Sequence, residues 1–311
     1  MDVTNTDSWS EDAAITYRYI RVGLVALTVF LLVSLAITSA TACAPGSISA
    51  FFYTKTHAVL IAALCAMGIC LIAYKGSRLG EDSLLNFSGF LAFVVALIPT
   101  HADNLCEPWL PTTGTALDAV ANNLIALVAA TAAGAALYLT FQRKPRPRPD
   151  RGLQALPDCT AGDGWARVAN TLLRIEPALP WVLPAIIVIG ALLLLSGTTP
   201  LDPHTAAAYA MFLGITLVVV YYAVYARGWE NTPGRRKLAK FYAGTAIIML
   251  ATVGVAIVFA ALDVEYGVLL VELLMIIEFG VFWAVQTWDV WYPGDKYPSQ
   301  TLNNVAGTPA R

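Results

Sequence analysis

Long apolar stretches broken by short polar ones dominate the chain. Eight of them, at 22–42, 57–74, 83–100, 117–141, 181–198, 206–226, 241–262 and 267–287, are nearly continuous in Leu, Ile, Val, Ala and Phe. Each runs about 18–25 residues, which crosses a hydrocarbon layer of about 30 Å at about 1.5 Å per helical residue. Lipid offers backbone amides no water, and an open strand edge is forbidden there, so the stretches are expected as helices. The predicted fold is all-α, a polytopic membrane helix bundle of about eight transmembrane helices.

A different period appears after Gly164. Trp165, Val168, Leu172 and Ile175 recur at helical spacing, with Arg167 and Arg174 among the polar positions. That pattern predicts a short amphipathic helix lying in the interface. Pro177, Pro180 and Pro184 then lead into the fifth stretch, where Pro184 is a candidate kink.

The pattern divides the chain into an N-terminal segment (1–21), a four-helix half (22–141), a basic linker carrying the interfacial helix (142–180), a second four-helix half (181–287) and a tail (288–311). The KPRPRP run in the linker reads as extended chain that sets topology. ALDAV before the fourth stretch and ALDV before the eighth would fit a parallel repeat of the two halves. The first stretch ends in SATACA but is longer than a secretory core, so it is expected to remain as an anchor.

Composition agrees with the pattern. Of 311 residues, 58% are hydrophobic and 13% charged, with mean hydropathy +0.65, against about 25% charged in a soluble domain. Charge then sets orientation. With the N-terminus inside, 18 of the 19 Lys and Arg fall in inner segments and only Lys55 lies outside. Both termini are therefore expected to be cytoplasmic, with the plasma membrane as the location and membrane lipids as the surroundings.

The outer segments hold Asp103, Glu107, Asp118, Asp202, Asp263 and Glu265 against one Lys, a field that attracts cations. Three histidines, His57, His101 and His204, fall at the same membrane level. With Asp103 and Asp202 they would form an outward-facing metal site, zinc suiting imidazole and carboxylate. No HExxH or paired-Cys spacing accompanies them, and interfacial histidines are the plainer reading. No cofactor is required by the sequence. Cys43 and Cys106, in the first two outer segments, are candidates for a disulfide.

Two glutamates lie within the eighth stretch, LLVELLMIIEFGVFWAVQTW. Glu272 is about five residues below the outer end, at the depth of Asn122 and Asn123 in the fourth stretch, and Glu278 is near the midplane. A carboxylate at such depth points to a ligand or ion path, with helix packing as the alternative. Six residues place the two acids about 240° apart on the helix, so they do not share a face. Gly244, Gly254 and Gly280 are candidate hinges. Trp283, Trp288, Trp291 and Tyr292, and YYAVY at 221–225, are expected as aromatic belts at the inner interface.

The first outer segment, CAPGSISAFFYTKTH, carries Ser47, Ser49 and three aromatics. It reads as a re-entrant or interfacial loop that could lid a site beneath it. A serine nucleophile would need a neighbouring base, and none is visible in the sequence. GSISAFFYT, LCAMGICLIAYKG, EDSLLNFSGFLA and the ANN of the fourth stretch resemble an uncharacterised family of actinobacterial multi-pass membrane proteins, mainly over residues 17–125. The resemblance implies a bacterial plasma membrane and no activity.

Three functions remain open: binding or transport of a small polar or cationic ligand from the outer face, a metal-dependent membrane hydrolase acting on lipid, and a structural or accessory subunit. No P-loop is present, the basic residues are explained by topology rather than nucleic acid, and no Lys lies within a span to hold retinal.

Overall fold

The apolar stretches fold as helices, and the polar residues at their ends decide where each begins. A computed structural model describes residues 4–42, 44–98, 115–142, 163–196, 202–229, 233–262, 264 and 266–291. In chain order these form α1 (Thr4–Thr41), the 3-10 turn η1 (Ser49–Tyr53), α2 (His57–Ala73), α3 (Leu79–Leu97), α4 (Thr115–Gln142), α5 (Asp163–Ile175), α6 (Leu179–Ser196), α7 (Pro203–Trp229), α8 (Pro233–Ala261) and α9 (Gly267–Asp289). The described residues hold no strand.

Five helices are long and apolar enough to cross a membrane: α1 over Ile15–Thr41, α3, α7, α8 and α9. A sixth crossing arises if α5 and α6, bent by 65° to each other, count as one broken span. The apolar helices His57–Ala73 and Ile125–Leu137 are shorter. The amphipathic segment is a helix of its own, α5, which buries Ala169 and Leu172 and leaves Arg167 and Arg174 exposed.

Helix α3 starts earlier than the apolar pattern suggests because two acids close its first turn. Asp82 Oδ1 accepts the Gly76 N–H at 2.5 Å and Glu81 Oε2 accepts the Ser77 N–H at 2.8 Å. Carboxylates at a helix N-terminus are favoured by its free N–H groups and dipole. Asp202 does the same for α7, accepting the Thr205 N–H at 2.9 Å and the Thr205 hydroxyl at 2.8 Å, with Pro203 opening the helix.

Six helices close a ring: α1 packs on α2, α2 on α3, α3 on α7, α7 on α8, α8 on α9, and α9 back on α1. The pairs that are not consecutive in the chain are antiparallel: Gly80 and Ser88 of α3 meet Tyr221 and Met211 of α7, and Arg21 and Thr28 of α1 meet Val290 and Gly280 at α9. Its core is apolar, with Leu24, Leu31, Leu85, Ile215, Val218, Phe282 and Trp283 all at most 2% exposed. The two halves of the sequence are thus not two separate bundles, since the contacts α3–α7 and α1–α9 join them. Helices α6 and α4 lie outside the ring, both on α3. A repeat pairing the fourth stretch with the eighth does not match this arrangement: α4 is peripheral and largely exposed, whereas α9 belongs to the ring.

Trp283, Tyr221 and Tyr225 are each 0% exposed and Tyr222 is 2% exposed. They are core residues, not belt residues. Trp288 and Trp291 are exposed and Tyr292 lies outside the described residues. Of the hinge candidates, Gly244 and Gly254 have open space at their Cα, and Gly280 packs against Thr28 of α1.

Candidate functional site

The ring has two differently built ends. At the η1 end, residues 44–56 turn back into the bundle. Ser49, Ala50, Phe51, Phe52 and Tyr53 are all buried, so the aromatics fill the mouth of the ring instead of lying in a headgroup layer. The loop is tied down at several points. Thr38 and Thr56 share a hydrogen bond at 2.8 Å, His57 Nδ1 meets the Phe52 carbonyl at 2.6 Å, and Leu269 N–H donates to the Gly46 carbonyl at 3.1 Å.

Beneath this loop is a cavity of about 310 Å³. Its walls are apolar side chains of α1, α2, α7, α8 and α9, among them Leu31, Leu64, Met211, Phe212, Ala256 and Met275. The polar groups gather on one side: Ser47, Ser49, His204, Thr205, Tyr209 and Glu272. An apolar pocket with a few convergent polar groups is the usual build of a small-molecule site, at the lower end of the common size range of about 300–1,000 Å³.

Glu272 belongs to this group and not to α4. Its Oε2 accepts the Ile48 N–H at 2.5 Å. Asn122 and Asn123 do not line the cavity. Glu272, placed by the sequence at the depth of these asparagines, grips the re-entrant backbone through Ile48. Glu278, on another face of α9 as its spacing implies, accepts the Thr252 hydroxyl of α8 at 2.7 Å and lies outside the cavity.

His204 is 3% exposed. Its Nδ1 meets the Ile98 carbonyl at the end of α3, and its Nε2 meets the Ser49 hydroxyl. Both ring nitrogens are thus engaged within the bundle. His57 turns to Phe52, and His101 lies outside the described residues. Among the described residues no group of three His, Cys, Asp or Glu is arranged to hold a metal ion. The Asp202–His204 pair does not converge either: Asp202 caps α7 while His204 faces inward. Cys43 and Cys106 lie outside the described residues, and Cys65 and Cys70 are free thiols.

The pairing of Ser49 with His204 joins residues 155 positions apart, and no local motif announces it. The only hint in the sequence is that both fall at the same predicted membrane level.

The opposite, α5 end carries a second polar cluster that sequence reasoning missed. Gln286 Nε2 donates to the Tyr74 and Tyr222 hydroxyls at 3.0 and 3.1 Å, and those hydroxyls share a bond at 2.9 Å. Tyr225 donates to Glu81 at 3.2 Å, and Asp289 accepts from Arg235 at 2.5 Å and from Tyr242 at 3.0 Å. Arg21 donates to the Val290 carbonyl at 2.9 Å, closing α1 onto the end of α9. The cavity beneath η1 does not reach these groups. They cross-link helices, as buried polar side chains do, although Gln286 Oε1 and Arg21 Nε find no hydrogen-bond partner among the described residues.

In comparisons with known proteins, no family model, no curated protein and no solved structure matches this chain.

Proposed function

We propose that the chain is an eight-span plasma-membrane protein, both termini cytoplasmic, that binds a small amphiphilic ligand from its outer face, as a receptor site or a step in transport. The polar or cationic head would lie against Glu272, Ser49 and His204, and the apolar part between α7, α8 and α9. The observation that carries this reading is the cavity itself: apolar walls with one polar side, closed above by a loop that Glu272 holds.

Orientation is supported by charge. Arg18, Arg21, Lys75, Arg78, Arg167, Arg174, Arg227 and Arg235 all fall at the α5 end, and Lys55 at the η1 end, so the positive-inside rule turns the cavity outward. The resemblance of residues 17–125 to actinobacterial membrane proteins supports a bacterial origin.

The test uses a nitroxide-labelled alkyltrimethylammonium, a cationic amphiphile whose immobilised fraction is read by spin resonance in detergent-solubilised protein. A saturable immobilised component is expected, displaced by the unlabelled amphiphile. Glu272→Gln removes the head's counter-charge and should weaken binding about tenfold, equal to about 1.4 kcal/mol. Equal binding by wild type and a correctly folded Glu272→Gln would sink the reading.

A further inference from the structure

The geometry points to Ser49 as a nucleophile activated by His204, so that the η1 cavity carries out acyl transfer from an ester-bearing amphiphile. The inference rests on the reading of the cavity as an amphiphile site, and adds a reaction to it.

The tautomer of His204 is the first support. A carbonyl oxygen can only accept, so the Ile98 carbonyl fixes a proton on Nδ1. In the neutral ring Nε2 is then a lone pair, and it faces the Ser49 hydroxyl, which must donate to it. This is the arrangement a general base needs beside a serine, with a backbone carbonyl doing the orienting that a carboxylate does in the familiar triad. Both side chains are buried, Ser49 at 8% and His204 at 3% exposure, and both line the cavity.

Placement is the second support. Ser49 opens η1, and the backbone just before it is gripped by Glu272 through the Ile48 N–H. The loop is further held by the Gly46–Leu269 bond. The nucleophile therefore sits on a fixed turn, not on a swinging loop. Glu272 is a positioning residue here. Tyr209 and Ser47 bring hydroxyl groups to the same side of the cavity, the donors available to a developing oxyanion.

The reaction balances without any outside oxidant or metal. Ser49 Oγ bonds to the ester carbonyl carbon as its proton passes to His204 Nε2. The C–O bond to the alcohol breaks, and the alcohol leaves with that proton. Water, or the hydroxyl of an acceptor lipid, then gives a proton to Nε2 as its oxygen bonds to the acyl carbon; the Ser49 Oγ–acyl bond breaks, and that proton returns to Ser49 Oγ. The apolar walls suit a fatty acyl chain, and the polar side suits the ester and head.

The experiment treats purified full-length protein with a long-chain alkyl fluorophosphonate and maps the adduct by mass spectrometry. An adduct on Ser49 of the wild-type chain is expected, absent in Ser49→Ala and formed about a hundredfold more slowly in His204→Gln, the loss that follows removal of a general base. The wild-type map needs no variant to fold, so absence of an adduct at Ser49 overturns the proposal. The labelled alkyltrimethylammonium of the preceding section is run beside it. Binding by wild type and Ser49→Ala without any adduct would reduce the pair to a loop anchor while the binding site stands. An adduct at Ser49 unaffected by His204→Gln would likewise overturn the assigned base.

Discussion

Arg78 and Glu176 face each other as a two-pronged ion pair, with Nε at 3.1 and 3.0 Å from the two carboxylate oxygens and an Nη2 at 2.8 Å. Glu176 also accepts the Gly80 N–H at 3.2 Å, so one side chain ties the elbow between α5 and α6 to the start of α3. Their side chains are only 17% and 9% exposed. Removing one partner of such a pair strands the other charge, at a cost of about 3–5 kcal/mol. Arg78→Ala should therefore lower thermal stability sharply. Arg78→Lys keeps the charge but loses the fork and should recover only part of it, as read by melting in detergent.

The crossing of α2 and α3 is set by two glycines. A Cβ on Gly68 would fall 2.7 Å from the Gly89 carbonyl oxygen, and one on Gly89 would fall 2.6 Å from that of Gly68. Backbones this close leave no room for a methyl group, as in other small-residue helix contacts. Gly68→Ala and Gly89→Ala should each destabilise by about 1–3 kcal/mol. By contrast, Gly254→Ala meets open space and should be neutral or slightly stabilising in the same melting assay.

Gln286 is 0% exposed and bridges Tyr74 of the α2 end to Tyr222 of α7. Gln286→Leu fills similar volume but removes the donor both hydroxyls use. A loss of about 1–3 kcal/mol is expected, with amphiphile binding at the distant cavity unchanged. Loss of binding in a folded Gln286→Leu would show the two ends to be coupled.

Glu278 contacts Thr252 and not the cavity. Glu278→Gln retains an oxygen that can accept from Thr252, so stability and amphiphile affinity should both match wild type. An affinity change comparable to that of Glu272→Gln would return Glu278 to the ligand path.

Orientation can be read directly. In right-side-out vesicles, Lys55→Cys should react with a membrane-impermeant maleimide and Arg236→Cys should not until the vesicles are opened. The reverse pattern would invert the protein and place the cavity on the inner face.

Much of the scaffold was legible because helix-forming lipid segments are written locally. The apolar run at 241–262 marks α8, and the spacing of Trp165, Val168, Leu172 and Ile175 marks α5. The start of α3 was misread because Glu81 and Asp82 look like loop residues until their bonds to Gly76 and Ser77 are seen. Tyr221, Tyr222 and Tyr225 suggested an interfacial belt. Position along a span gives depth but not facing, and these three face the core. The candidate site was half legible. Glu272 stood out as a carboxylate within an apolar run. His204 stood out only as a metal candidate and Ser49 only as a serine without a visible base; their pairing was not legible until the ring brought them together, and Glu176 gave no sign that its partner lay 98 residues away.

The ring closes through α1 and α9, the first and last helices of the described chain. During synthesis α1 leaves the ribosome long before α9, one of its two ring neighbours. The nascent α1–α3 segment must therefore wait in the bilayer with an unfilled flank, and final assembly is a docking of already inserted helices. The η1 loop shares that delay, since Ile48 finds Glu272 only after α9 arrives. Completion of the cavity thus waits for α9, and a chain stopped short of α9 carries Ser49 without the carboxylate that fixes its backbone.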